Sequence, residues 1–351
     1  MRSPALAQVE SIAVLRANGM GDYLMSEPAL TALRTAAPQA SITLLGGEFA
    51  AAALVGRPGP VDEVVLVPYT PGLREPPVGQ GYGSWDALRE RHFDLALQLH
   101  GGGRNSSPAL LGLKAGFTAG FRAFDAPALD LDLPYQFWQH EVFRHLDAVA
   151  ALGAAARRVS PRFTVLESDL LASRGLVEEP FVVIHPGATD PRRRWPADRF
   201  AAVADALAVR GAAVVVVGSG EEVEPVVAAS RSARGLPETG VPALVGLLSR
   251  ARLLVGNDSG PRHLAEALGT PTVSVYWFGN MINYAPVSRR GHRTHISWTT
   301  TCPQCGRPLV GEPFPPRCCD NVCCVSEVPV EAVLSTVDEL YEEASPRQLK
   351  G

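Results

Sequence analysis

Short apolar runs recur along the chain, each followed by a polar or glycine-rich loop and then by a segment of helical periodicity. The first run, Ser11-Ile-Ala-Val-Leu-Arg16, breaks off in Asn18-Gly-Met-Gly-Asp22. It predicts a buried strand and then a helix over 28–37, with Ser26 as its cap and Pro28 in the first turn, where proline is tolerated. Strands are predicted at 41–45, 63–67 and 93–99, with a helix starting near 49. Another helix, over 140–152, aligns Val142, Phe143, Leu146, Val149 and Leu152 at helical spacing. Residues 121–139 read as irregular, and 155–180 as a linker. The alternation then restarts, with strands at 181–184, 212–217, 253–256 and 272–276 and helices at 196–210, 221–233 and 261–268. A last helix over 330–343 is expected to pack back across the domains. Such alternation implies βαβ units around parallel sheets. The chain is therefore expected to be α/β, with two Rossmann-like doubly wound domains facing across a cleft, over 1–165 and 175–330, and a closing helix over 330–345. Ligands of such sheets bind outside the carboxyl ends of the strands.

Composition narrows the function without naming it. The 351 residues, 46% hydrophobic and 19% charged, suffice for two ordinary cores. A net charge of −4 calls for neither nucleic acid nor an anionic membrane. No apolar run approaches the ~18–20 residues of a membrane span. The first ten residues lack the basic and apolar regions of a secretory signal, so a cytoplasmic location is expected.

The six cysteines all lie between Cys302 and Cys324. Cys302-Pro-Gln-Cys305 has the spacing of a zinc knuckle, and the pairs Cys318-Cys319 and Cys323-Cys324 offer the remaining thiolates. A structural zinc on Cys302, Cys305, Cys318 and Cys323 is the expectation, with disulfides or mixed thiols as the alternative. No catalytic role is assigned to the cluster.

Three strand-to-helix loops carry the candidate chemistry. In Gly256-Asn-Asp-Ser-Gly-Pro-Arg-His263, Ser259 can cap a helix that has Pro261, Arg262 and His263 in its first turn. The positive end of the helix and basic residues placed there suit a bound phosphate. In the loop from His185 to Pro196, Arg192, Arg193 and Arg194 form a cationic arm beside the small residues Gly187, Ala188 and Thr189, and arginine forks match phosphate oxygens. The Gly-x-Gly of the loop ending at Asp22 lacks the third glycine of a dinucleotide fingerprint, since Leu24 stands there. Asp22 makes better sense as a base.

Together these pieces resemble the ADP-heptose:lipopolysaccharide heptosyltransferase family of inverting GT-B enzymes. The resemblance rests on Leu15-Arg16 through Asp22 with Pro28-Ala-Leu30, Phe93-Asp-Leu through His100-Gly101, His140 through Gly153, and His185-Pro-Gly187 through Trp195-Pro196. Gly218 through Glu222, Asn257 through Leu264, and Gly269-Thr-Pro271 continue it, in order, over residues 11–280. It implies an acceptor domain followed by a donor domain, with Asp22 as the general base. It implies further that Arg193, standing where the family usually has a lysine, clamps the donor phosphates with Gly187 and Thr189. Asp258, Ser259, Gly260 and His263 would hold the sugar and diphosphate, and Glu222 the ribose. The donor would be an ADP-heptose-like nucleotide sugar, the acceptor a hydroxyl, and no cofactor is required for catalysis. Asp130-Leu-Asp132, the acidic pair of metal-dependent transferases, is discounted because it lies far in sequence from the donor loops.

Acceptor-side candidates are His100, Asn105 and His140. Residues 101–140 contain only Arg104, Lys114 and Arg122 against Asp125, Asp130 and Asp132. That balance would not attract a polyanion, so a small neutral or amine-bearing acceptor is expected. The alternatives are a GT-B epimerase or hydrolase of the nucleotide sugar, and a non-catalytic nucleotide-sugar-binding protein. Donor conversion without acceptor would mark the first, and binding without turnover the second.

Overall fold

The computed structural model describes residues 4–236, 238–311, 315–320 and 322–343. It divides into two compact units, Met1–Thr164 and Val165–Gly351. Each unit is built on one six-stranded sheet.

In the first unit the strands are β1 (Ser11–Arg16), β2 (Ser41–Gly46), β3 (Glu63–Leu66), β4 (Leu95–Gln98), β5 (Phe117–Arg122) and β6 (Leu131–Pro134). They lie in the order β3-β2-β1-β4-β5-β6, all parallel. The second unit contains β7 (Phe181–His185), β8 (Ala213–Val216), β9 (Arg234–Gly235), β10 (Leu253–Asn257), β11 (Thr272–Trp277) and β12 (His292–Ser297). Their order is β12-β11-β10-β7-β8-β9, again parallel. Both are the doubly wound order, which reverses between the first and fourth strands of each unit. Helices cover both faces of such a sheet, which is why β7, β10 and β11 are buried along their whole length and read as continuous apolar runs.

Several elements differ from the sequence reading. The first helix is Met20–Ala36, capped by Gly19, so Pro28 lies inside it rather than at its start. Ser26 is no cap; its hydroxyl donates to the Tyr23 carbonyl at 2.7 Å. Glycine and proline suggested a loop here, but Tyr23, Leu24, Met25, Ala29 and Leu30 are buried, and their packing overrides weak local propensity.

The segment read as irregular contains the end of β5 and all of β6. Asp130 stitches them together by accepting from the Thr118 backbone N–H at 2.9 Å and hydroxyl at 2.8 Å. Asp132 pairs with Arg122 at 3.1 Å, so both acids serve the local fold. The segment read as a linker contains the helix Glu167–Ser173, which packs on another unforeseen helix, Val241–Arg250. Gly246 permits that approach, since a Cβ there would lie 2.1 Å from the Asp169 carbonyl oxygen. The last described helix, Val330–Glu343, packs on the helix Ala197–Val209 of its own unit; residues 344–345 of the predicted span lie outside the described residues.

Candidate active site

At the first switch point, β1 ends in Arg16, only 3% exposed. A buried guanidinium needs partners for its fork. NH1 donates to the Leu99 carbonyl at 2.8 Å, and NH2 donates to Asp22 Oδ1 at 2.6 Å and Glu141 Oε2 at 3.0 Å. Asp22 lies in the first turn of Met20–Ala36 and keeps a quarter of its side chain exposed (24%). Glu141 opens the helix Glu141–Ala151 and also pairs with Arg144.

The three acceptor-side candidates divide. His100 follows β4, and its Nδ1 accepts the Ala17 N–H at 3.3 Å. Burial, reinforced by the Arg16 charge, pulls its pKa down to about 3. The ring is therefore neutral, with its proton on Nε2. His140 caps the helix Glu141–Ala151 by accepting the Val142 N–H at 3.2 Å, and so has a structural task beside Glu141. Asn105 is exposed and turns to the Gly72 carbonyl at 3.5 Å, outside the Arg16 network.

At the second switch point, β7 and β10 carry the other loops. The arginine arm contains a short folded turn, Pro191–Arg193. Arg192 forks onto Asp190, with NH2 to Oδ2 at 2.7 Å, and lies 5.2 Å over the Trp277 ring. Arg193 NH1 donates to Asp258 Oδ2 at 2.7 Å, and Arg194 Nε donates to the Ala188 carbonyl at 2.8 Å. Asn257, fully buried, ties the loop together: its Oδ1 accepts from Trp195 N at 3.1 Å and its Nδ2 donates to the Pro186 carbonyl at 2.6 Å.

The buried Asp258 is held from two sides, by Arg193 and by His263 Nε2 at 3.1 Å from Oδ1. Burial alone would raise its pKa, but the His263 hydrogen bond and the Arg193 charge outweigh it and hold the carboxyl below its usual range. Arg262 NH1 lies 2.6 Å from His263 Nδ1. Arginine can only donate, so Nδ1 accepts and the His263 proton sits on Nε2. Both ring nitrogens are thus committed within the protein. His263 therefore contacts Arg262 through Nδ1 and Asp258 through Nε2.

Ser259 precedes the helix Gly260–Leu268, but its hydroxyl lies 2.9 Å from His185 Nδ1 and makes no side-chain cap to the helix. The first-turn N–H groups keep their capacity for an anion. Glu222 completes a capping box with Ser219 N at 3.1 Å and lies 3.6 Å from Arg194 NH2. A Cβ on Gly187 would meet Glu222 Oε1 at 2.4 Å, so glycine is what admits that carboxylate. Thr189 is exposed in the same loop.

Four thiols gather in this unit. The sulfurs of Cys302, Cys305, Cys318 and Cys319 lie within 4.8 Å of one another. The fourth member is Cys319, not Cys323, whose thiol donates to the Arg194 carbonyl at 3.0 Å. All six cysteines are free thiols.

The sequence reading missed the binding partners Arg16 and Glu141, and the supports His185 and Asn257. One signal was available: Arg16 and His185 are polar residues closing otherwise apolar buried strands.

A model of the family described as glycosyltransferase family 9 (heptosyltransferase) matches residues 83–307, more than half of the chain. The chain belongs to glycosyltransferase family 9. This family 9 chain is 28% identical to lipopolysaccharide heptosyltransferase 2 of Salmonella typhimurium over 293 residues, 76% of the chain and 82% of that protein. Its match to lipopolysaccharide heptosyltransferase 3 of Escherichia coli is 33% identical over 127 residues, 31% of the chain and only 37% of that protein. The solved structure of E. coli ADP-heptose lps heptosyltransferase II shares the fold, with a TM-score of 0.71 at 22% identity over 95% of this chain and 99% of that one. The family 9 transferase thus has the GT-B fold. Among its described residues no helix is long and apolar enough to cross a membrane.

Proposed function

We propose that this glycosyltransferase moves a heptose-type sugar from an ADP-heptose-like donor to a hydroxyl acceptor, with inversion at the anomeric carbon. The observation that carries the reading is the convergence on Asp258 of the Arg193 fork and the helix Gly260–Leu268, which lacks a side-chain cap. A fixed guanidinium beside free helix N–H groups suits a diphosphate.

In this reading Asp22 is the base. Its Oδ1 is fixed by Arg16, so its second oxygen takes the proton as the acceptor oxygen attacks the anomeric carbon. The glycosidic bond to the nucleotide breaks, and the charge left on the diphosphate is met by Arg193, Thr189 and the N–H groups from Ser259 and Gly260. Arg193 would exchange its Asp258 contact for, or share it with, the phosphate. Glu222, seated against Gly187, would take the ribose hydroxyls, and His263 would act through Asp258. The neutral His100 would offer its Nε2–H to the acceptor, with Asn105 and His140 at the edge of that region.

The acceptor is proposed to be small and neutral or amine-bearing. Arg104 pairs with Asp125, and Arg122 with Asp132, so two of the three cations in this segment are already neutralised. The names of the relatives favour a lipopolysaccharide acceptor instead. A structural zinc on Cys302, Cys305, Cys318 and Cys319 belongs to the same reading, because four clustered thiols suit tetrahedral coordination.

Incubating the protein with ADP-heptose and either a phosphorylated lipopolysaccharide core or a panel of neutral aminocyclitols, while following ADP release, tests both levels. Acceptor-dependent release supports transfer, and the productive acceptor decides its class. Release independent of any acceptor would point to hydrolysis.

A further inference from the structure

Cys323 and Cys324 stand outside the thiol cluster, and what they touch gives the cluster a task. The Cys324 N–H donates to the Arg192 carbonyl at 2.7 Å, and the Cys323 thiol reaches the Arg194 carbonyl. Arg192 NH1 in turn donates to the Pro315 carbonyl at 3.1 Å. Trp195 Nε1 donates to the Val328 carbonyl at 3.0 Å. These bonds hold the arm on both sides of Arg193, whose own guanidinium goes to Asp258.

The strap that makes these contacts has little regular structure among its described residues between β12 and the last helix. Ordering so long a segment costs backbone entropy residue by residue, and among the described residues its own apolar burial is limited to Leu309, Val322, Val325, Val328 and two cysteines. One half of the cluster, Cys302 and Cys305, is a tight turn: Gly306 N donates to the Cys302 carbonyl at 2.9 Å, and Cys302 N to the Arg307 carbonyl at 2.8 Å. The other half, Cys318-Cys319, lies directly before the residues that grip the arm. A metal ion joining the two halves would close the loop and supply its ordering energy, since binding of a metal by thiolates is folding free energy for the segment that carries them.

We propose that a metal ion held by Cys302, Cys305, Cys318 and Cys319 acts as a clip that positions Arg193, and so sets the affinity of the donor site for diphosphate. The inference rests on the donor-site reading above. It makes Cys323, Cys324 and Arg192 positioning residues, and it assigns the metal no contact with substrate. Four thiolates suit zinc or iron, and each thiol gives up its proton on binding.

The test is an ADP titration by calorimetry on the full chain, with metal content measured by elemental analysis. The purified protein should carry about one metal ion per chain. Chelation, at a temperature where circular dichroism stays native, should weaken ADP binding about tenfold, and added zinc or iron should restore it. Arg192→Met, which leaves every thiol in place, should keep the metal yet lose a similar share of affinity; it guards against a stripped protein that unfolds. The deciding comparison is Arg193→Ala: if the clip acts through Arg193, chelation should then change affinity less than twofold. Absence of metal, ADP binding indifferent to chelation and to Arg192→Met, or an equal loss in the Arg193→Ala background would each overturn the clip. If ADP fails to bind, or binds equally well to metal-loaded Arg193→Ala, the donor-site reading itself falls and takes the clip with it.

Discussion

Arg16 and Asp22 are joined twice: NH2 donates to the Asp22 carboxylate at 2.6 Å, and Nε to its backbone carbonyl at 3.3 Å. The strand end and the first turn of the following helix are thereby locked together. The same guanidinium holds Glu141, from a helix 125 residues later in the chain.

Removing the guanidinium leaves two carboxylates facing one another, one of them buried. Arg16→Met should therefore destabilise the chain by ~3–5 kcal/mol, the usual effect of breaking a buried ion pair from one side. Denaturant unfolding followed by circular dichroism measures it. A midpoint within error of the wild type would show that the network carries no stability.

The donor loops give a graded prediction. Arg193→Ala should weaken ADP binding by ~1–3 kcal/mol, the range for charge-assisted hydrogen bonds. His263→Gln should weaken it less, because in the proposed site His263 reaches the phosphate only through Asp258. Calorimetry that finds His263→Gln the more damaging change would reverse the assignment of direct and indirect roles.

Gly187 supplies a steric test. Its substitution by alanine forces Glu222 away from a position 2.4 Å from the new Cβ. ADP affinity should fall while free phosphate or pyrophosphate inhibits as before, because the clash lies on the proposed ribose side. Equal losses for ADP and pyrophosphate in competition assays would contradict that placement.

Buried neutral histidines make stability depend on pH. Burial, with help from the Arg194 charge and against Glu222, pulls His185 down to about 4. Burial likewise brings His292 to about 4, and its Nδ1 lies 3.0 Å from the Thr272 hydroxyl. Each group binds protons more readily unfolded than folded. Their contribution is therefore complete above the unfolded pKa of about 6.5 and drains as pH falls toward 4, at up to ~1.4 kcal/mol per pH unit per histidine. The thermal midpoint should drop between pH 6.5 and 5, and His292→Gln should make that drop shallower. An unchanged slope in the variant would refute a neutral, buried His292.

Much of the fold was legible because parallel strands buried on both faces leave unbroken apolar runs, as in 181–184 and 253–256. Short edge strands such as β6 and β9 carry no such run and escaped. The start of the helix Met20–Ala36 was hidden because Gly21 and Pro28 argue locally for a loop, while the burial that overrides them is tertiary. The same limit applies to the site. Asp22, Arg193 and Asp258 sit in strand-to-helix segments rich enough to be noticed, but nothing local reports that Arg16 meets Glu141, or that Arg262 meets His263. The exchange of Cys323 for Cys319 has the same origin: the two Cys-Cys pairs look alike in sequence, and only the folded strap puts both members of the first pair in the cluster and turns Cys323 to Arg194.

In the proposed reaction Asp22 removes the acceptor proton while the loops after β7 and β10 hold the donor. The direct measurement is turnover of ADP-heptose by Asp22→Asn with the acceptor that the wild type uses, alongside ADP affinity by calorimetry. Asparagine preserves the shape and can still accept from Arg16, but cannot take a proton. The expected result is a fall in kcat of ~10²–10⁴-fold with ADP affinity unchanged within about twofold. A variant that turns over at near wild-type rate would contradict the assignment of Asp22 as the base.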